Sequence, residues 1–94
     1  MKKNGIRLTK QICRALIAAD LTATQFRIVL VYLQYPCYHF TYRELAAMTG
    51  TSKSVIGRAL PYLVQIGILH TVGYGERDRR LIELQPDVSR WSVW

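Results

Sequence analysis

The residues of this 94-residue chain best suited to binding chemistry are closely spaced hydroxyls and cations. Ser52, Lys53, Ser54, Gly57 and Arg58 fall in one short stretch, at what reads as a helix start. Lysine and arginine neutralise phosphates or pair with guanine O6 and N7, and serine reaches either phosphate or base. Gly57 lets a backbone come close. A helix N-terminus adds free N–H groups and a positive dipole end. The plain alternative for Lys53 and Arg58 is a solvated face. A second set is Arg77, Arg79 and Arg80, interleaved with Glu76 and Asp78 after Gly75. A basic hairpin tip can enter a minor groove or grip a backbone; an internally ion-paired loop is the alternative. A third set is Thr41, Tyr42 and Arg43, where a helix crossing a phosphate backbone would begin. Glu44 beside them reads as a capping residue.

The charge balance favours an anionic partner. There are 13 Lys+Arg against 6 Asp+Glu, a formal net charge of +7. A small domain with that surplus is attracted to polyanions. Lys2, Lys3, Arg7, Lys10 and Arg14 precede the first acid, Asp20, and suit either a phosphate-tracking arm or a solvated face. Enzyme chemistry is not expected: there is no Walker loop, no GxGxxG and no Ser-His-Asp arrangement above chance. His39 and His70 are far apart and are expected to pack beside a sheet, so neither a metal nor a cofactor is expected. Cys13 and Cys37 form no CxxC pair; two buried thiols are expected, with one disulfide as the alternative. No apolar run nears the roughly 18 residues of a membrane span, and Arg7, Lys10, Gln11 and Arg14 break up any signal-peptide core. The expected location is therefore the cytoplasm, with no membrane partner.

The length allows one domain, with residues 1–7 a flexible basic arm and 86–94 a C-terminal extension. Leu8, Ile12, Leu16 and Ala19 recur at helical spacing behind Thr9. Thr22 and Gln25 have capping-box spacing, and Phe26, Val29, Leu30 and Leu33 form the apolar face of a second helix that Pro36 ends. Tyr38-His39-Phe40 suits a short strand. Thr41 and Glu44 open a two-turn helix that Gly50 stops. Ser52 opens a helix over Lys53–Gln65 with Val55, Ile56, Ala59, Leu60 and Leu63 inward. Ile68–Tyr74 and Arg80–Gln85, joined by a polar Gly-containing turn, predict a β-hairpin. Pro61 removes a backbone donor inside the fourth helix and predicts a kink or bend there. Tyr32, Tyr35, Tyr38, Trp91 and Trp94 pack by default; base stacking or subunit contact is the alternative.

Glu44-Leu45-Ala46, Thr49-Gly50, Ser52, Arg58-Ala59-Leu60, Leu63 and Gly67-Ile68-Leu69 resemble a winged helix-turn-helix. Leu21–Arg27 is similar to the helix entry of MarR-like regulators and of the N-terminal DNA-binding domain of phage replication O-type proteins. The resemblance covers Leu8 to about Gln85 and implies an α+β fold of three to four helices with a two- to three-stranded wing. It also implies a partner, double-stranded DNA, recognised in sequence-specific fashion. The site would comprise Thr41, Tyr42, Arg43, Ser52, Lys53, Ser54, Gly57, Arg58, Arg77, Arg79 and Arg80. The implied work is transcription control or replication initiation at a phage or plasmid origin, in a bacterial, archaeal or phage-infected cell. A homodimer is expected, formed through the first helix and Val88–Trp94, alongside replication or transcription proteins. The rival reading is a winged-helix module that binds protein through an apolar outer face of Tyr62, Val64 and Ile66.

Overall fold

The computed structural model describes residues 5–94; Lys2 and Lys3, two of the three cations of the expected arm, lie outside the described residues. Each helix begins on a hydroxyl that caps it. Thr9 Oγ1 accepts from the Ile12 amide at 3.1 Å and opens α1, Lys10–Ala19. Thr22 and Gln25 exchange both bonds of a capping box and open α2, Ala23–Gln34. Thr41 and Glu44 do the same for α3, Tyr42–Thr49. Ser52 Oγ accepts from the Val55 amide at 3.3 Å and opens α4, Lys53–Gln65. Such caps satisfy amides that no helix can pair internally. The turn between α3 and α4 rests on Gly50, which takes a left-handed φ of 70°.

Strands β1, Leu69–Tyr74, and β2, Arg80–Leu84, form the expected antiparallel hairpin. Leu69 faces Leu84, His70 faces Glu83 and Thr71 faces Ile82; Val72 is then an extra residue, and Gly73 faces Leu81. The tip is a single 3-10 turn, Glu76–Asp78, in which Arg77 and Asp78 both take a φ of 58°. The fold is thus α+β, with four α-helices and a two-stranded sheet among the described residues.

Tyr38–Phe40 is not a strand. Its backbone makes no ladder with the hairpin; the one main-chain bond to β2 nearby runs from the Leu84 amide to the Pro36 carbonyl. The segment is held by side chains. Phe40 meets the rings of Tyr32 and Tyr38 edge-on, with centroids 5.1 and 4.5 Å apart. His39 Nε2 lies 2.8 Å from Glu83 Oε2, which ties the segment to β2.

The core is wider than the expected faces. Helix α2 buries Ile28, Val29, Val31, Tyr32 and Leu33, while Phe26 is exposed and Leu30 only partly covered. In α1 the inward residues are Ile12, Ala15 and Leu16, which leaves Leu8 exposed. In α4, Ile56, Ala59, Leu60 and Leu63 are buried and Val55 is half-buried. That helix continues past Pro61 for a further turn, leaving the Gly57 carbonyl without its usual donor. Cys13 and Cys37 are free and exposed, not buried: Cys13 sits beside inward-facing Ile12 and so points away from the core.

The C-terminal segment closes the core and is not a free extension. Val88 and Trp91 are buried, and Trp91 Nε1 donates to the Gln85 carbonyl at 2.8 Å. The Ser92 amide donates to the Ile66 carbonyl at 2.6 Å. Gly67 makes room for this: at a φ of 83°, any Cβ there would stand 2.7 Å from the Arg90 carbonyl oxygen. Val88 and Trp91 are thus committed inside one chain, while Trp94 of the same segment is exposed. At the other end the Ile6 amide donates to the Leu33 carbonyl at 2.6 Å, which pins the described part of the expected arm to α2. Trp91→Ala is expected to lower unfolding free energy by about 3–5 kcal/mol, whereas Trp94→Ala, at an exposed residue, should change it by less than about 0.5 kcal/mol. Urea denaturation of the two variants checks both.

Candidate nucleic-acid interface

The cationic residues sit on three elements that meet. Tyr42, the first residue of α3, lays its ring over α4: a Cβ built on Gly57 would stand 3.5 Å from Tyr42 Cε2. Gly57 therefore faces α3, and its small size serves this contact between helices. Arg58 follows it in α4 and is exposed, as are Ser52, Lys53 and Ser54 at the helix start. The Ser52 and Ser54 hydroxyls lie 3.1 Å apart. Thr41 and Tyr42 in turn share a recess with Arg79 and Arg80 at the start of β2. So the α3 N-terminus bridges the α4 helix and the base of the hairpin, and Arg43 is exposed one residue further on.

Few of these cations are neutralised. Among the described residues the ion pairs are His39 with Glu83 and Arg90 with Asp87, the latter at 3.8 Å. Arg43, Lys53, Arg58, Arg77, Arg79 and Arg80 take part in neither. Glu76 and Asp78 flank Arg77 at the tip without pairing with it. Arg79 is turned back from the tip, and its guanidinium donates to the His39 carbonyl at 2.9 Å. It thus belongs to the base of the wing, while Arg77 occupies the tip. His70 lies on β1 opposite Glu83, half-buried. No group of three or more His, Cys, Asp or Glu side chains lies together among the described residues.

Glu44 positions the start of α3. Its Oε1 accepts from the Thr41 amide at 2.8 Å and its Oε2 from the Tyr38 hydroxyl at 3.0 Å. The bond from the Thr41 backbone, followed by that from Tyr38, holds the Glu44 carboxyl below the usual range, and the same carboxylate pushes the Tyr38 phenol up. Glu44 is thus a positioning group for Thr41, Tyr42 and Arg43, as its capping-box spacing implies.

The apolar outer face expected on α4 is mostly absent. Val64 and Ile66 are half-buried against the core, and Tyr62 alone of the three is exposed, at 40%. Larger uncovered apolar side chains lie elsewhere: Ile17 on α1 is 79% exposed and Leu8 and Phe26 flank it. Among the described residues no helix is long and apolar enough to cross a membrane. Tyr32, expected to pack with base stacking or subunit contact as the alternative, is buried and lines the recess beside Thr41 and Tyr42.

No protein-family model, curated protein or solved structure matches the chain.

Because folding lowers the pKa of Glu44, its contribution to stability is complete above the ordinary glutamate range and is lost as pH falls through the lowered value. Glu44→Gln keeps an acceptor for the Thr41 amide and removes the titration. Its unfolding free energy should fall less steeply on acidification than that of the parent, as read by denaturant titrations across the acid range.

Proposed function

We propose that the chain binds double-stranded DNA in a sequence-specific manner as a winged helix, and acts in transcription control or in replication initiation. The observation that supports this most is the run of unpaired cations over three touching elements: Lys53 and Arg58 on α4, Arg43 on α3, and Arg77 and Arg80 on the hairpin. In this reading α4 enters the major groove by its N-terminal half, where Ser52, Lys53, Ser54 and Arg58 meet base edges and phosphates. The α3 start lies on the adjoining backbone through Thr41, Tyr42 and Arg43. The hairpin reaches the next stretch of duplex with Arg77 foremost.

The mechanism is occupancy. Phosphate contacts fix register and orientation, and base-edge contacts discriminate sequence. Tyr42 packed over Gly57 keeps α3 and α4 in one orientation, so phosphate contacts made by one align the other with the groove. Lys53→Ala combined with Arg58→Ala should lower duplex affinity at least tenfold while leaving the unfolding midpoint within a few degrees, since both residues are exposed. With roughly five phosphates neutralised, the slope of log affinity against log salt should be about −4.5 for the parent and shallower by about 2 for the double variant. Fluorescence anisotropy over a salt series measures both; an unchanged affinity and slope would remove α4 from the interface.

We assign self-association to the exposed apolar side chains of Leu8, Ile17 and Phe26, in place of the C-terminal segment. A homodimer related by a two-fold axis reads an inverted repeat. Selection of bound duplexes from a random pool should therefore return two mirrored half-sites, and Ile17→Glu should reduce the selected site to one half.

A further inference from the structure

An open hollow of about 410 Å³ lies between the end of α2, the Tyr38–Phe40 segment and α3. Tyr35, Tyr38 and Phe40 line it on one side, and Glu44, Ala47 and Met48 line it from α3. The spacing of the last three, at i, i+3 and i+4, puts them on one helix face. The rings are not stacked flat. Tyr38 and Tyr35 meet Phe40 at 62° and 69°, with centroids 4.5 and 6.3 Å apart. Rings inclined in this way form walls around a space. Both tyrosines are exposed, so contacts within the chain leave much of each ring uncovered.

The charge of this hollow runs against that of the chain. The formal net charge is +7, yet no lysine or arginine lines the hollow, and its single charged group is the Glu44 carboxylate. Among the described residues Glu44 enters no ion pair. Its bonds from the Thr41 amide and the Tyr38 hydroxyl, at 2.8 and 3.0 Å, fix it in place and favour its ionised form. Each carboxylate oxygen can accept a further contact. Arg79, whose charge reaches Glu44, lines the neighbouring recess and is bound to the His39 carbonyl. The rings add to the same sign, because an aromatic quadrupole is negative at its face.

We infer that this hollow binds a free quaternary ammonium cation of choline size, with Tyr35, Tyr38 and Phe40 around its methyl groups and the Glu44 carboxylate against its charge. Aromatic walls with one carboxylate suit a cation whose charge is spread over methyl groups, since such a head needs no hydrogen-bond acceptors and enters an apolar site. Ala47 and Met48 complete the apolar lining. A nucleotide fits poorly: its base could stack on the rings, but its phosphate would meet Glu44. The inference goes beyond duplex binding and does not rest on it, because none of the residues lining this hollow is among the proposed duplex contacts.

Titration of the full chain with choline chloride, followed by amide NMR against a sodium chloride control, tests it. Saturable shifts are expected at Tyr35, Tyr38, Glu44 and Met48, and the choline methyl protons should move upfield beside the rings. The neutral isostere, in which carbon replaces the choline nitrogen, has the same shape without the charge and should bind roughly tenfold more weakly. Tyr35→Leu, at an exposed position, keeps apolar bulk and removes a ring. It should weaken choline binding roughly fivefold, with the spectrum outside the hollow as in the parent. Glu44→Gln keeps an acceptor for the Thr41 amide and removes the charge. It should weaken choline binding by a similar factor and leave binding of the isostere unchanged, which separates charge from shape. Shifts that do not saturate or that sodium chloride reproduces would overturn the site. So would equal binding of choline and its isostere, or either variant binding choline as the parent does.

Discussion

Ile28, Val29, Val31, Tyr32 and Leu33 crowd one stretch of α2, and all five are buried, so only the side carrying Arg27, Leu30 and Gln34 is left to solvent. A helix with so wide an apolar face must be covered on most of its sides. The α3–α4 pair and strand β2 lie against it, and helix α1 meets the C-terminal segment. The elements in contact with α2 are located by it. The cations gain their arrangement from this: Arg43, Lys53, Arg58 and Arg80 make no ion pair that could hold them, and the apolar packing behind them sets where they stand.

The hairpin base depends on a second, polar set of contacts. His39 pairs with Glu83, Arg79 donates to the His39 carbonyl, and the Leu84 amide donates to the Pro36 carbonyl. These tie β2 to the segment between α2 and α3 where a third strand was expected. The aromatic group around Phe40 fills the space that a strand's side chains would have filled.

The parts of this fold that were legible in the sequence are the ones decided locally. Thr9, Thr22 with Gln25, Thr41 with Glu44, and Ser52 each cap a helix through atoms three residues away, so spacing alone placed the helix starts. Gly50 and the hairpin turn are local in the same sense. What escaped is decided by distant neighbours. The second face of α2 is buried by elements far along the chain. Tyr38–Phe40 has strand-like residues, but a strand exists only where a partner aligns. Trp91 had no period to mark it, since one indole fills one gap. Cys13 was misjudged on residue type, although the Ile12, Ala15, Leu16 spacing already turns it outward. The hydroxyls and cations of the candidate interface were legible as residue types; the contact of Tyr42 with Gly57 that joins two of their elements was not.

Trp91 and Gly67 together set the smallest piece of this chain that holds its shape. A boundary drawn at the end of β2 resembles a natural domain edge, because the last regular element stops there and Pro86 follows. The fragment it yields lacks a wall. Ile66 loses the amide that meets its carbonyl, and α1 loses the segment that packs against it. Such a piece is prone to stick to itself for reasons unrelated to the parent's own contacts. Any tag or fusion is better joined beyond Trp94, where the indole is already in solvent.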